Sequence, residues 1–207
     1  MPVQVKICGL KTIEAVSAAV TAGAAFLGFV FYIKSPRNIT AKNAAQLCAG
    51  VPAQVKKVAV TVDADMVLLD EIIRVMRPDY IQLHGKESPQ RLRDIKKQYA
   101  KIKIIKALPV SKTEDLLAAD AYANCADMLL FDSSTAGSGH PFDWNLLKDF
   151  YSPLPWFLSG GLTPENVASA IAQTHAAYVD VSSGVESSLG VKDTALIQQF
   201  IETARLS

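Results

Sequence analysis

The sequence predicts a single α/β domain, a (β/α)8 barrel with parallel strands. Three observations predict it. Short runs rich in Val, Ile, Leu and aromatic residues alternate eight times with helix-like segments, with no linker or composition break across 207 residues. The runs are two-faced, and one face carries a polar residue at or near its C-terminal end. Half of the residues are hydrophobic and 20% are charged, enough to fill one complete core.

The first run, Gln4–Cys8, is followed by a helix over Thr12–Ala22, and the second, Ala25–Phe31, by one over Thr40–Ala49. Lys57–Val62 precedes a helix over Ala64–Met76. After Tyr80–His84, Ser88 stands before Pro89 as the cap of a helix reaching Tyr99. Lys103–Leu108 and Met128–Asp132 are followed by helices over Lys112–Ala121 and Trp144–Phe150. Trp156–Ser159 leads to a helix starting at Pro164 and ending at Gln173, with Thr163 as its cap and Asn166 three residues on. Tyr178–Ser182 precedes the last helix, which starts at Asp193 and repeats Leu196, Ile197, Phe200, Ile201 and Ala204 at helical spacing.

Strand parity separates a barrel from an open, doubly wound sheet. Gln4, Lys6 and Cys8 share one face against Val3, Val5 and Ile7; Tyr80, Gln82 and His84 oppose Ile81 and Leu83. Met128, Leu130 and Asp132 oppose Leu129 and Phe131; Tyr178, Asp180 and Ser182 oppose Val179 and Val181. An open sheet covered on both sides reads as continuous apolar runs. A barrel turns the apolar face to its helices and gathers polar tips at its mouth, where barrel active sites lie.

With Lys and Arg at 21 against Asp and Glu at 20, no large net field draws nucleic acid or an anionic membrane, though a local anion site remains open. Cys8, Cys48 and Cys125 are too few and too widely spaced for a disulfide framework or a CxxC metal pair. The start MPVQVKICGL lacks a signal-peptide pattern, and no run is long enough to span a bilayer. The expectation is a soluble, cytoplasmic, reduced protein with a small-molecule substrate, a monomer or weak homodimer.

Two glycine turns close the chain's last quarter. Ser159-Gly160-Gly161-Leu162-Thr163-Pro164 follows the seventh run, and Ser182-Ser183-Gly184-Val185-Glu186 the eighth. Glycines let backbone N–H groups approach an oxyanion closely, and barrels often share one phosphate between these two loops. Either turn alone is also an ordinary bend; the pair points to a phosphate site.

Cys8 ends the first run beside Gly9, two strand residues or about 6.6 Å from Lys6 on the same face. A neighbouring cation favours thiolate and would make Cys8 a base near neutral pH. Cys48 and Cys125 read as small core residues. Asp132 after its apolar run is either a loop-capping group or a site acid. Asp180 occupies a similar strand end; His84 is a hydrogen-bonded loop histidine or a substrate contact. Arg37, in Ser35-Pro36-Arg37-Asn38, is a planar partner for a carboxylate or an exposed surface cation.

KICGL at 6–10, SPR at 35–37, QLHG at 82–85, FDS at 131–133, GSGHPFDW at 137–144, LSGGLTPENV at 158–167, VDVSSGVE at 179–186 and GVKD at 190–193 occur in that order. Together they resemble the phosphoribosylanthranilate isomerase family of tryptophan biosynthesis, from the first strand to the last helix. KICG with SGGL and DVSSGVE is specific; FDS alone carries little.

The resemblance implies a TIM barrel and an Amadori rearrangement with no cofactor and no metal, in keeping with the lack of metal-ligand spacing or a GxGxxG turn. It implies Asp132 as general acid on the furanose oxygen and Cys8 as general base on the C2 proton. Arg37 would hold the anthranilate carboxylate, and Gly160, Gly161, Ser183 and Gly184 the phosphate; His84 and Asp180 lie near substrate. His140 and Pro141 depart from the family's usual Lys and Thr, which bears on loop closure and rate. A related barrel isomerase of a histidine-pathway aminoribotide would carry a carboxylate where Cys8 stands. A non-catalytic barrel binding a phosphorylated metabolite would tolerate loss of Cys8 or Asp132, and both are present.

Overall fold

The computed structural model describes residues 2–133 and 143–207. Its eight principal strands are β1 (Gln4–Cys8), β2 (Phe26–Phe31), β3 (Lys56–Thr61), β4 (Tyr80–Leu83), β5 (Lys103–Val110), β6 (Met128–Ser133), β7 (Trp156–Leu158) and β8 (Tyr178–Val181). They pair in sequence order, and β8 closes on β1, all parallel. The eight-stranded barrel read from strand parity is therefore the fold. Among the described residues no helix is long and apolar enough to cross a membrane.

The two faces separate as their side chains require. Val5, Ile7, Leu27, Phe29, Ile81, Leu129 and Val179 point outward into one apolar layer with the helices, where they meet Leu69, Ile72, Leu92, Ile95, Phe200 and Ile201. Inside, Val30, Val58, Val60, Ile105, Leu130 and Phe157 fill the barrel. Phe26, Tyr80 and Tyr178 open their strands and close the N-terminal end around Phe157. Their ring centroids lie 5.1 to 6.3 Å apart in edge-on or tilted contacts, each adding about 0.5–1.5 kcal/mol beyond burial. With that end plugged, access is left to the opposite rim.

Among the described residues six α-helices flank the barrel: α1 (Ile13–Ala22), α2 (Ala41–Cys48), α3 (Met66–Met76), α4 (Pro89–Gln98), α5 (Val167–Thr174) and α6 (Thr194–Arg205). Thr12, Thr40, Asp65, Ser88 and Asp193 cap their helices by accepting first-turn N–H groups, so the cap read at Ser88 holds, and Asp193 caps the last helix one residue ahead of its start at Thr194. Cys125 is buried in the outer core, and Cys48 packs against it.

Three local expectations fail. The segment after β7 does not turn helical at Pro164: Asn166 accepts the Thr163 N–H at 2.8 Å and donates to the Gly161 carbonyl at 2.9 Å, and α5 starts only at Val167. This asparagine turn replaces the threonine cap. The helices expected over Lys112–Ala121 and Trp144–Phe150 are tighter 3-10 turns, Thr113–Tyr122 and Trp144–Leu147. Beyond β8 the chain forms an unforeseen hairpin, β9 (Glu186–Ser188) against β10 (Val191–Lys192), which folds back over the rim.

Candidate active site

Parity brings the polar tips together. Cys8, Gln82, His84, Asp132, Ser159 and Asp180 all line one cavity of about 410 Å³ at the C-terminal rim, with Arg37 and Leu189 at its edge. A second pocket of about 50 Å³ adjoins it and shares Arg37, Asp132, Ser159, Asp180 and Ser182. Gly160, Gly161, Leu162 and Ser183 line it too, with Ser133 and Val181, so the turns after β7 and β8 do converge on one small recess.

Gly160 has φ +87, and a Cβ there would stand 2.7 Å from the Ser133 amide nitrogen and 2.9 Å from Asp132 Oδ1. Only glycine lets this turn lie against the strand end that carries Asp132. Gly184, by contrast, does not line the recess. It packs behind it, where a Cβ would collide with the Leu162 carbonyl oxygen. Its close approach to Leu162 joins the two turns.

Asp132 Oδ1 accepts the Ser133 N–H at 2.8 Å, and Oδ2 lies 3.3 Å from His84 Nε2. His84 Nδ1 lies 3.0 Å from Gln82 Nε2. His84, just past β4, is therefore a hydrogen-bonded histidine as one of the two readings had it, and its Nε2 faces Asp132.

Lys6 is fully buried inside the barrel and donates to Asp180 Oδ1 at 2.7 Å, while Ser159 donates to Oδ2 at 3.2 Å. Burial alone would lower the Lys6 pKa, but the Asp180 carboxylate and the Cys8 thiol outweigh it and hold it above its ordinary value. At Cys8 burial dominates instead: it pushes the thiol pKa up despite the pull of Lys6 and Lys192. The expectation that Lys6 makes Cys8 a ready thiolate fails in the free cavity, because burial of the thiol, with the nearby Asp180 carboxylate, outweighs the pull of Lys6.

Arg37 is not the exposed cation that spacing left open; it is 8% exposed. Its Nε and Nη2 donate to Glu186 Oε1 and Oε2 at 2.7 and 2.9 Å. Glu186 also accepts from Lys192 Nζ at 2.7 Å and the Gly190 N–H at 3.0 Å. Burial would raise the Glu186 pKa, yet Arg37 and Lys192 bring it down to about 2. Burial lowers Lys192 more than Glu186 raises it. Two cations around one carboxylate leave a surplus positive charge beside Ser182, which accepts from Lys192 through its carbonyl at 2.8 Å. The positive charge gathered around Glu186 stands out in a chain of nearly balanced charge.

Sequence reading gave no role to Gln82, Glu186 and Lys192, and used Lys6 only as the cation beside Cys8. Lys6 and Gln82 carried a usable signal, since both share strand faces with candidate residues. His140 and Pro141 lie outside the described residues.

Over residues 5–203 the chain matches the sequence model of the family described as N-(5'-phosphoribosyl)anthranilate isomerase. The chain belongs to this family. It is 49% identical to the N-(5'-phosphoribosyl)anthranilate isomerase of Parvibaculum lavamentivorans, over 99% of both chains. The phosphoribosyl anthranilate isomerase crystal structure from Thermotoga maritima superposes with a TM-score of 0.91 at 36% identity, covering 99% of this chain and 100% of that one. An isomerase structure in complex with reduced 1-(o-carboxyphenylamino)-1-deoxyribulose 5-phosphate gives 0.88 at 36% identity, with the same coverage. Membership in this isomerase family agrees with the resemblance carried by KICG, SGGL and DVSSGVE.

Proposed function

We propose that this chain converts N-(5-phosphoribosyl)anthranilate to 1-(2-carboxyphenylamino)-1-deoxyribulose 5-phosphate without a cofactor, with Asp132 as general acid and Cys8 as general base. The observation that carries the reading is the continuity of the two pockets. The small recess of Gly160, Gly161 and Ser183 suits the phosphate, and the adjoining cavity has a carboxyl and a thiol on its wall.

Asp132 transfers its proton to the furanose oxygen, and the C1–O bond breaks with its electron pair going to that oxygen. The anthranilate nitrogen lone pair becomes the second bond of a C1=N iminium. Its positive charge acidifies C2–H and also favours thiolate at Cys8, adding to Lys6 and Lys192 and countering the burial that otherwise keeps the thiol protonated. The thiolate takes the C2 proton, the electrons move to nitrogen, and the resulting enolamine tautomerises to the C2 ketone. Each proton-transfer group contributes about 10²–10⁴-fold.

Arg37 fits the anthranilate carboxylate in a specific way. Its Nε/Nη2 edge is occupied by Glu186, which leaves the Nη1 side for a ligand and fixes its direction. Asp180, with both oxygens engaged, acts on substrate chiefly by holding Lys6 in place. The test is conversion of freshly prepared phosphoribosylanthranilate by the purified chain, followed by loss of anthranilate fluorescence. No conversion under conditions where the phosphate-bearing product still binds would reject the assignment.

A further inference from the structure

Gln82 stands two residues before His84, 1% exposed, with Val60 and Ile105 as its neighbours on β3 and β5. Its Oε1 is buried and has no hydrogen-bond partner among the described residues. An unpaired buried acceptor is costly, and an apolar side chain of similar length would fill the space without that cost. Packing between two aliphatic neighbours therefore does not account for an amide here.

The other end of the amide does. Gln82 Nε2 lies 3.0 Å from His84 Nδ1, and across the ring His84 Nε2 lies 3.3 Å from Asp132 Oδ2. A neutral imidazole carries one N–H, and the hydrogen bond made by one nitrogen decides which nitrogen holds it. An amide N–H given to Nδ1 makes Nδ1 the acceptor and puts the ring proton on Nε2, facing Asp132. Ser133 N–H holds the second carboxyl oxygen at 2.8 Å. Each oxygen then has one N–H facing it, at 3.3 and 2.8 Å, and keeps a further lone pair for the proton that is transferred.

We propose that Gln82 is a positioning residue that holds His84 as its Nε2–H tautomer and thereby aims the Asp132 carboxyl at the reacting sugar. This rests on Asp132 as the proton donor. The tautomer follows the amide: a side chain offering only acceptors draws the ring proton to Nδ1, and one offering neither leaves both tautomers in play.

The experiment uses ¹⁵N-histidine-labelled protein, whose three histidines give few resonances; His84 is assigned by its disappearance in His84→Gln. The parent protein shows an unprotonated Nδ1 and a protonated Nε2. Gln82→Glu moves the proton to Nδ1, and Gln82→Leu gives a tautomer mixture; Gln82→Met, equal in length, replaces the leucine variant where that one fails to fold. In each variant kcat falls roughly 10–100-fold, less than for loss of the acid itself, while KM stays within about threefold. An unchanged His84 signature in the Glu and Leu variants overturns the inference, and so does a shifted signature with kcat intact. Asp132→Asn is assayed alongside. If it remains active, the acid assignment fails; if it is inactive while the Gln82 variants run at full rate, only the role of Gln82 fails.

Discussion

Arg37 grips Glu186 through two parallel hydrogen bonds of 2.7 and 2.9 Å, joining the loop after β2 to the hairpin after β8. The fork sets the plane of the guanidinium before any ligand arrives. Arg37→Lys keeps the charge but loses the plane. Losing a hydrogen bond to a charged group costs about 1.5–3 kcal/mol, so KM for the aryl substrate rises about 10–100-fold. Steady-state kinetics check this, and a KM within twofold of the parent removes Arg37 from carboxylate binding.

Asp132→Asn and Cys8→Ser each lower kcat by about 10²–10⁴-fold. Binding of the phosphate-bearing product, measured calorimetrically, stays close to that of the parent, because neither substitution changes Gly160, Gly161 or Ser183, and Asn keeps the size of Asp132 where it lines the recess. Full turnover by both variants removes the acid and the base together.

Glu186 governs acid stability. Its pKa in the folded chain is about 2 against an ordinary 4.5, so the unfolded chain takes up the proton first as pH falls. The stabilisation, about 3 kcal/mol before solvent screening brings it down, is present above pH 4.5 and is lost progressively toward pH 2. Urea midpoints between pH 6 and pH 3 measure it. Glu186→Gln flattens the decline; an equally steep decline in the variant assigns the acid sensitivity to other groups.

Lys6→Met leaves Asp180 buried without its cation and destabilises the chain by about 3–5 kcal/mol. Adding Asp180→Asn recovers part of the loss, since the uncompensated charge is gone. Denaturation of the single and double variants tests the coupling, and strictly additive losses would show that the pair does not interact.

Gly160→Ala meets both a positive φ and the crowded Asp132 end of β6. The strain costs about 1–3 kcal/mol, and the displaced carboxyl lowers kcat more than it raises KM. Thermal unfolding with parallel kinetics separates the two effects.

The barrel was legible because side-chain parity is strict: one polar tip at Cys8, His84, Asp132 and Asp180 assigns an entire strand face. The mouth was legible for the same reason. What escaped lay where no periodicity operates. The hairpin of Glu186–Ser188 and Val191–Lys192 is too short for an alternation pattern, so Glu186 and Lys192 stood inside quoted motifs without a role. Asn166 outcompeted Pro164 for the start of α5 through side-chain hydrogen bonds that spacing does not rank. The Cys8 thiol went astray because proximity to Lys6 was visible in the sequence, whereas its burial and the competing Asp180 were not.

The contact between Lys6 and Asp180 spans 174 residues of chain. During synthesis the first strand, with its thiol, leaves the ribosome long before the eighth, and nothing can sit opposite Lys6 until nearly the whole polypeptide is out. Ring closure therefore completes the cavity: a nascent chain cut short before β8 has Cys8 and Asp132 but lacks Asp180 and the turn at Ser182 and Ser183 that finishes the small recess. Regain of turnover after dilution from denaturant accordingly reports the final seam between first and last strands, later than any signal from helix formation.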